Sequence, residues 1–242
     1  MLNGIFSGFI SDLPQMLLML PAIFISLSVH EAAHGYAAYK LGDPTARNLG
    51  RLTLNPMKHI NPIGFICMML FGVGWANPVP VNSRYFKKPR RDMAITAAAG
   101  PLSNLCLAII FTAIMRLIMI PLEKIIFLSS ADASAETTFL ILSIFVVLCN
   151  IGITLNLSLM IFNLIPLPPL DGSRIAYIFL PTNVYFGIMK YEKYIMIGFL
   201  VLLCAFDFLN IPNPISYLVF WIQEGLFRIF GISDILFYTS LY

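Results

Sequence analysis

His30, Glu31 and His34 spell H-E-x-x-H inside an otherwise apolar stretch of the chain. On a helix, residues four apart lie on one face, so the two imidazoles could share a single divalent cation. Glu31 sits one position past the first imidazole and is turned around the helix. It could address a water at such an ion without binding the ion itself. Ala32, Ala33, Gly35, Ala37 and Ala38 keep the surroundings small and let a second helix approach closely. The residues before the triplet are Leu-Leu-Met-Leu-Pro-Ala-Ile-Phe-Ile-Ser-Leu-Ser-Val, so water-activating chemistry is placed where lipid would ordinarily be. The competing reading is three polar residues that merely bridge helices. Ionisable groups inside a bilayer cost about 2.5–3.5 kcal/mol each, which makes a triplet without function expensive.

Catalytic zinc usually takes three protein ligands and leaves a fourth position open. His59 is the only other histidine, and the remaining candidates are carboxylates. Asp171 stands out among them, because it closes the run Asn163-Leu-Ile-Pro166-Leu-Pro168-Pro169-Leu-Asp171-Gly172 at the end of a long apolar segment. Proline lacks a backbone N–H and clashes with the preceding turn, so this run must break the helix. Broken backbone at membrane depth implies a cavity lined by protein. Two readings of Asp171 stand at this point: a metal ligand, or the N-cap of a helix beginning near Ser173. Gly172 allows close backbone approach beside it.

The elements that must position these residues are membrane helices. The chain of 242 residues is 59% hydrophobic and 11% charged, whereas an ordinary soluble domain is about a quarter charged. Residues 13–39, 93–119, 139–162 and 191–209 are long enough to cross a bilayer, which takes roughly 20 apolar residues. Residues 215–230 carry Gln223, Glu224 and Arg228 and read equally as a short span or an interfacial helix. Residues 63–76 are apolar but short, with Gly64, Gly72 and Gly74. They read as a re-entrant or β-hairpin segment beside the active centre. The expected fold is therefore an all-α, polytopic integral membrane bundle, a single membrane-embedded domain over residues 1–242. The first twelve residues hold no Lys or Arg, and the first apolar segment is too long for a signal-peptide core, so it is expected to be retained. Cys67, Cys106, Cys149 and Cys204 sit singly in apolar runs and read as small buried hydrophobes.

The net charge is a modest +3, and its distribution is more telling. Lys40, Arg47, Arg51 and Lys58 follow the first span. Arg84, Lys87, Lys88, Arg90 and Arg91 precede the second, and Arg174, Lys190 and Lys193 lie between the third and fourth. If residues 63–76 re-enter rather than cross, all of these share one face, leaving Arg116, Lys124 and Arg228 elsewhere. The positive-inside rule makes that face cytoplasmic. The histidines then lie about 9–15 Å inside the boundary, at 1.5 Å per residue back from Lys40. No nucleic-acid recognition module accompanies the basic loop, so nucleic acid is not an expected partner.

The triplet, followed by Asn163-x-x-Pro166-x-Pro168-x-x-Asp171-Gly172, resembles the site-2 protease family of intramembrane zinc metalloproteases. Gly100-Pro101-x-x-Asn104 and Asn55-Pro56-x-x-His59-Ile60-x-Pro62-x-Gly64 extend the likeness, which runs from about residue 13 to 180. The second of these is similar to the small prokaryotic branch that lacks a PDZ domain. The resemblance implies that one Zn2+ per chain is held by His30, His34 and Asp171, with Glu31 as catalytic base. It implies a zinc endopeptidase in a prokaryotic cytoplasmic membrane. Its partners would be the lipid bilayer and membrane-anchored protein substrates, cleaved near the cytoplasmic face in regulated intramembrane proteolysis.

Asn104 and Asn163 are candidates for oxyanion or substrate-backbone contact, against the commoner role of helix-bridging amides. His59 reads as a zinc, outer-shell or substrate contact, or as an ordinary loop histidine. Residues 63–76 and Asn77-Pro78-Val79-Pro80-Val81 could pair with an unwound substrate by strand addition. Two rival classes remain beside the protease: a metal transporter or sensor, and an inactive membrane chaperone on the same scaffold.

Overall fold

The computed structural model describes residues 2–71, 76–128, 133–209, 211 and 213–232. The regular structure among them is helical, as expected. Three helices form the frame: α1 (Leu2–Lys40), α4 (Pro89–Leu128) and α5 (Ala133–Leu164). Between α1 and α4 lie the short α2 (Thr45–Asn48) and α3 (Pro62–Phe71). After α5 come α6 (Asp171–Ala176), α7 (Thr182–Met189), α8 (Glu192–Phe208) and α9 (Pro214–Ile229).

The frame closes on apolar side chains at helical spacing. Ala108, Met115 and Met119 of α4 meet Cys149, Ile153, Leu157 and Met160 of α5, with Val219 and Phe227 of α9 completing the cluster. Leu102, Ile110 and Leu117 of α4 and Leu140, Phe145 and Val147 of α5 are exposed on the other faces. That is the pattern of a bundle whose solvent is lipid, since exposed apolar area costs nothing there. Among the described residues, three helices are long and apolar enough to cross a membrane: Met16–Lys40, Pro89–Leu122 and Glu136–Leu164. The fourth expected span falls on α8, whose 17 residues reach only about 25 Å at 1.5 Å each. α9 begins at Asn213, whose side chain accepts from the Ile215 N–H at 2.9 Å. Cys149 is buried as expected, whereas Cys106 is an exposed thiol on the outer face of α4, where its helical position turns it away from the core.

In the segment expected as a re-entrant or β-hairpin excursion, the described residues before the clasp are helical. Residues 62–71 are helical because Asn61 caps them: its side chain accepts from the Gly64 N–H at 2.9 Å, and Pro62 opens the helix. The β character shrinks to one antiparallel bridge between Ile60 and Ala76. That bridge clasps the two ends of the excursion, and the Asn77 N–H adds a bond to the His59 carbonyl at 2.6 Å. Gly72 and Gly74 of that segment lie outside the described residues. Phe65 of α3 packs on Phe24 of α1, with ring centroids 5.9 Å apart.

After the clasp, residues 77–82 cross α1 as a strap without regular structure, which Pro78 and Pro80 restrict to extended-type backbone. The strap is tied at both ends. The Arg51 guanidinium donates to the Asn77 carbonyl at 2.6 Å, and the Asn82 N–H donates to the Asp43 carboxylate at 2.6 Å. Asp43 is fully buried, and its other oxygen accepts from the Thr45 N–H at 2.9 Å.

Candidate metal centre

α1 carries His30 and His34 one turn apart, and both rings are buried edge to face with centroids 4.6 Å apart. The chain reaches them a second time through the proline break. Helix α5 ends at Leu164, and the Leu167 and Leu170 N–H groups bond back to Ile165 and Leu167 within the turn. Asp171 then opens α6. Gly172 is needed for this return, because a Cβ there would stand 2.3 Å from the Ile165 carbonyl oxygen and 2.4 Å from that of Leu164. The result is a triangle. Asp171 Oδ2 lies 3.2 Å from Nε2 of each histidine, and the two Nε2 atoms are 3.0 Å apart.

The far sides of the rings decide what that triangle is. His34 Nδ1 lies 2.7 Å from the Thr96 carbonyl oxygen, and His30 Nδ1 lies 2.9 Å from Asn104 Oδ1. Both oxygens accept, so both Nδ1 atoms carry the proton and, in neutral rings, both Nε2 atoms present lone pairs. Three lone-pair atoms therefore converge with no proton between them, and Asp171 Oδ2 is a buried oxygen without a hydrogen-bond partner. Such an array repels itself unless a cation enters. The edges of 3.0 and 3.2 Å are close to the edge of about 3.3 Å of a tetrahedron with metal–ligand distances near 2.0 Å. Three protein donors is the number that catalytic zinc takes, whereas structural zinc takes four. Among the described residues it is the only group of three or more His, Cys, Asp or Glu side chains with donor atoms within 4.8 Å of one another.

Helix α4 shapes the pocket through Thr96, Gly100 and Asn104, which are one turn apart and share a face. A Cβ on Gly100 would stand 2.4 Å from His34 Nε2 and 2.6 Å from His30 Cε1. Asn104, read from the sequence as an oxyanion or substrate contact or as a helix-bridging amide, takes the bridging role: its amide is fully buried behind His30 and ties α4 to α1, on the side of the ring away from Nε2. For Asp171 the N-cap reading falls away. Leu170 is the N-cap of α6, no side chain caps that helix, and the Asp171 carboxylate faces the imidazoles. Asn163 donates back to the Leu159 carbonyl of its own helix at 3.0 Å and does not join the donors. His59 is fully buried and sits elsewhere, its Nε2 bonded to the Thr53 carbonyl at 2.8 Å within the loop that supports the clasp. Glu31 is buried beside the triangle, and its Oε2 accepts from the Val79 N–H at 2.7 Å. Thr96 and Val79 act through backbone atoms, which no side-chain pattern announces.

Fold and site together define a helical membrane protein with a buried centre of two imidazoles and one carboxylate, flanked by a second carboxylate. The chain belongs to peptidase family M50, whose profile matches residues 18–205. The candidate zinc metalloprotease YwhC of Bacillus subtilis (strain 168) is 40% identical over 212 residues, covering 88% of this chain and 86% of that protein. The candidate zinc metalloprotease Rip2 of Mycolicibacterium smegmatis is 26% identical over 161 residues, 64% of this chain and 54% of the relative. Rip2 of Mycobacterium tuberculosis (strain ATCC 25618 / H37Rv) is 26% identical over 187 residues, 75% and 64% respectively. The chain thus spans less than two thirds of the length of these mycobacterial relatives. No solved structure matches it. The resemblance to site-2 proteases is borne out: this is a metalloprotease of that family, and zinc is the ion implied by family and donor set alike.

Proposed function

We propose that the protein is a zinc-dependent intramembrane endopeptidase that cleaves membrane-anchored proteins near the cytoplasmic face. The observation that carries this reading is the triangle of lone-pair donors on Nε2 of His30, Nε2 of His34 and Oδ2 of Asp171, next to a buried carboxylate on Glu31. His30, His34 and Asp171 would hold the ion. When bound, zinc polarises a carbonyl and acidifies water.

Glu31 takes the proton from the attacking water and passes it to the departing amine, and so returns to its starting state. A helical substrate hides its carbonyls in internal hydrogen bonds, so the cleaved segment must first unwind. The placement near the cytoplasmic face rests on the basic residues that flank the spans, Lys40 to Lys58 and Arg84 to Arg91 above all.

The test is Glu31→Gln, assayed in detergent on a membrane-anchored model substrate alongside elemental analysis. Zinc stays at the wild-type stoichiometry while turnover falls by about 10²–10⁴-fold, the usual worth of a positioned general base. Undiminished cleavage by this variant would remove Glu31 from the role.

A further inference from the structure

We infer that the strap positions the general base: the Val79 N–H fixes one oxygen of the Glu31 carboxylate so that the other is presented to water. This rests on the assignment of Glu31 as base. The Val79 N–H donates to Glu31 Oε2 at 2.7 Å, and among the described residues no hydrogen bond engages Oε1. Bonds to an ionised acceptor are shorter and roughly twice as strong as neutral ones. A buried carboxylate without a donor would be costly to keep charged.

The donor is not a loose loop atom. Val79 is buried, and it packs so closely on the next turn of α1 that a Cβ on Gly35 would stand 3.2 Å from its Cγ1. Arg51 grips the strap at Asn77, and buried Asp43 grips it at Asn82, at 2.6 Å in each case. Neither anchor involves Glu31, so the amide is held in place independently of the group it serves.

Pro78 and Pro80 on either side supply the rest of the argument. Both have φ restricted to about −65° and neither has an N–H. In extended backbone, neighbouring residues turn their polar groups to opposite sides. Val79 therefore faces α1, while the outward positions 78 and 80 offer a passing strand no donor. Proline at such positions protects a strand edge from pairing. The strap thus stays committed to Glu31 while substrate is nearby, and of the two carbonyls at 78 and 80 that of Pro78 already accepts from the Arg51 guanidinium at 3.4 Å.

Val79 is a positioning residue, and Val79→Pro removes its N–H while keeping the chain extended. The expected result is a fall in kcat of about 10–100-fold, the range for outer-shell support of a reacting group, with KM and zinc content unchanged. Val79→Ala keeps the N–H and lowers kcat by less than Val79→Pro does. In a Glu31→Gln background, Val79→Pro adds no further loss, because the two act as a unit. If Val79→Pro cannot hold zinc, Arg51→Gln carries the test. It loosens the strap from one end and lowers kcat in the same direction at constant KM.

Wild-type kcat in the proline variant, an equal loss in Val79→Ala, an effect on KM alone, or further loss in the Glu31→Gln background would each overturn the inference. So would wild-type kcat in Arg51→Gln when that variant carries the test. An inactive Glu31→Gln beside a fully active Val79→Pro sinks only the strap's role, whereas an active Glu31→Gln sinks the base assignment beneath it.

Discussion

Two of the polar clusters that interrupt the apolar helices are built on opposite principles. Between α5 and α9, Thr154 donates to Gln223 Oε1 at 3.0 Å, and Gln223 donates onward to Asn150 Oδ1 at 2.8 Å. Each bond there has a proton and runs in one direction. Between α1, α4 and α6 the protons have been drawn to the back of the rings by Thr96 and Asn104, leaving two Nε2 atoms and Asp171 Oδ2 face to face. The first cluster is complete as it stands, and the second is complete only around a cation. Counting polar residues in a membrane helix does not separate the two cases. Following the protons does.

The sharpest way to break that contrast is to remove one corner of the triangle. Asp171→Ala leaves two imidazoles on one helix face, and zinc is expected to be lost along with all measurable cleavage. Elemental analysis of the purified variant beside wild type checks it. Full zinc occupancy in Asp171→Ala would mean that the third donor is some other group.

Filling the space between the corners comes next. Gly100→Ala places a methyl 2.4 Å from His34 Nε2, and overpacking of this kind costs about 1–3 kcal/mol. Because the clash falls on the donor atoms themselves, it shows first as weakened zinc retention against a chelator, ahead of any fall in thermal stability. The reverse order would make Gly100 a packing residue only.

Asn104→Leu removes the acceptor behind His30 and leaves its proton free to move to Nε2. Outer-shell losses of this type reduce metal affinity by about 10–100-fold. A cobalt-substituted sample adds a second readout, since a freed His30 ring would change the visible spectrum of the ion. Unaltered affinity and spectrum would show that the tautomer is set without Asn104.

These variants also mark how far the residues alone could lead. His30 and His34 are legible as a pair because their spacing puts two imidazoles on one helix face, whereas at Asp171 the proline break left ligand and cap open and the family resemblance chose between them. The helical form of residues 62–71 was equally open to view in the pair Asn61-Pro62, a helix-start signal, but the glycines further on weighed toward a hairpin. Asn104 stood out with two tasks open, substrate contact or helix bridge, because sequence shows that an amide is present and not which edge of a ring it meets. The Thr96 carbonyl and the Val79 N–H could not be read at all. Backbone atoms exist at every position, and only the fold selects which of them faces a reacting group.

The smallest expected effect lies in the other cluster, and it guards the comparison from the opposite side. Gln223→Leu deletes the middle of the Asn150–Gln223–Thr154 chain. Hydrogen bonds between membrane helices average about 0.6 kcal/mol in double-mutant cycles, because the separated helices find other partners. The variant should therefore lose no more than about 1 kcal/mol of stability in a detergent unfolding series, with zinc content and kcat unchanged. Asn150→Leu in the same background should cost little more, since its acceptor has already lost its donor. If Gln223→Leu abolished cleavage while zinc stayed bound, the α5–α9 chain would be part of the machinery. Complete hydrogen bonding would then no longer distinguish a bridge from a working site.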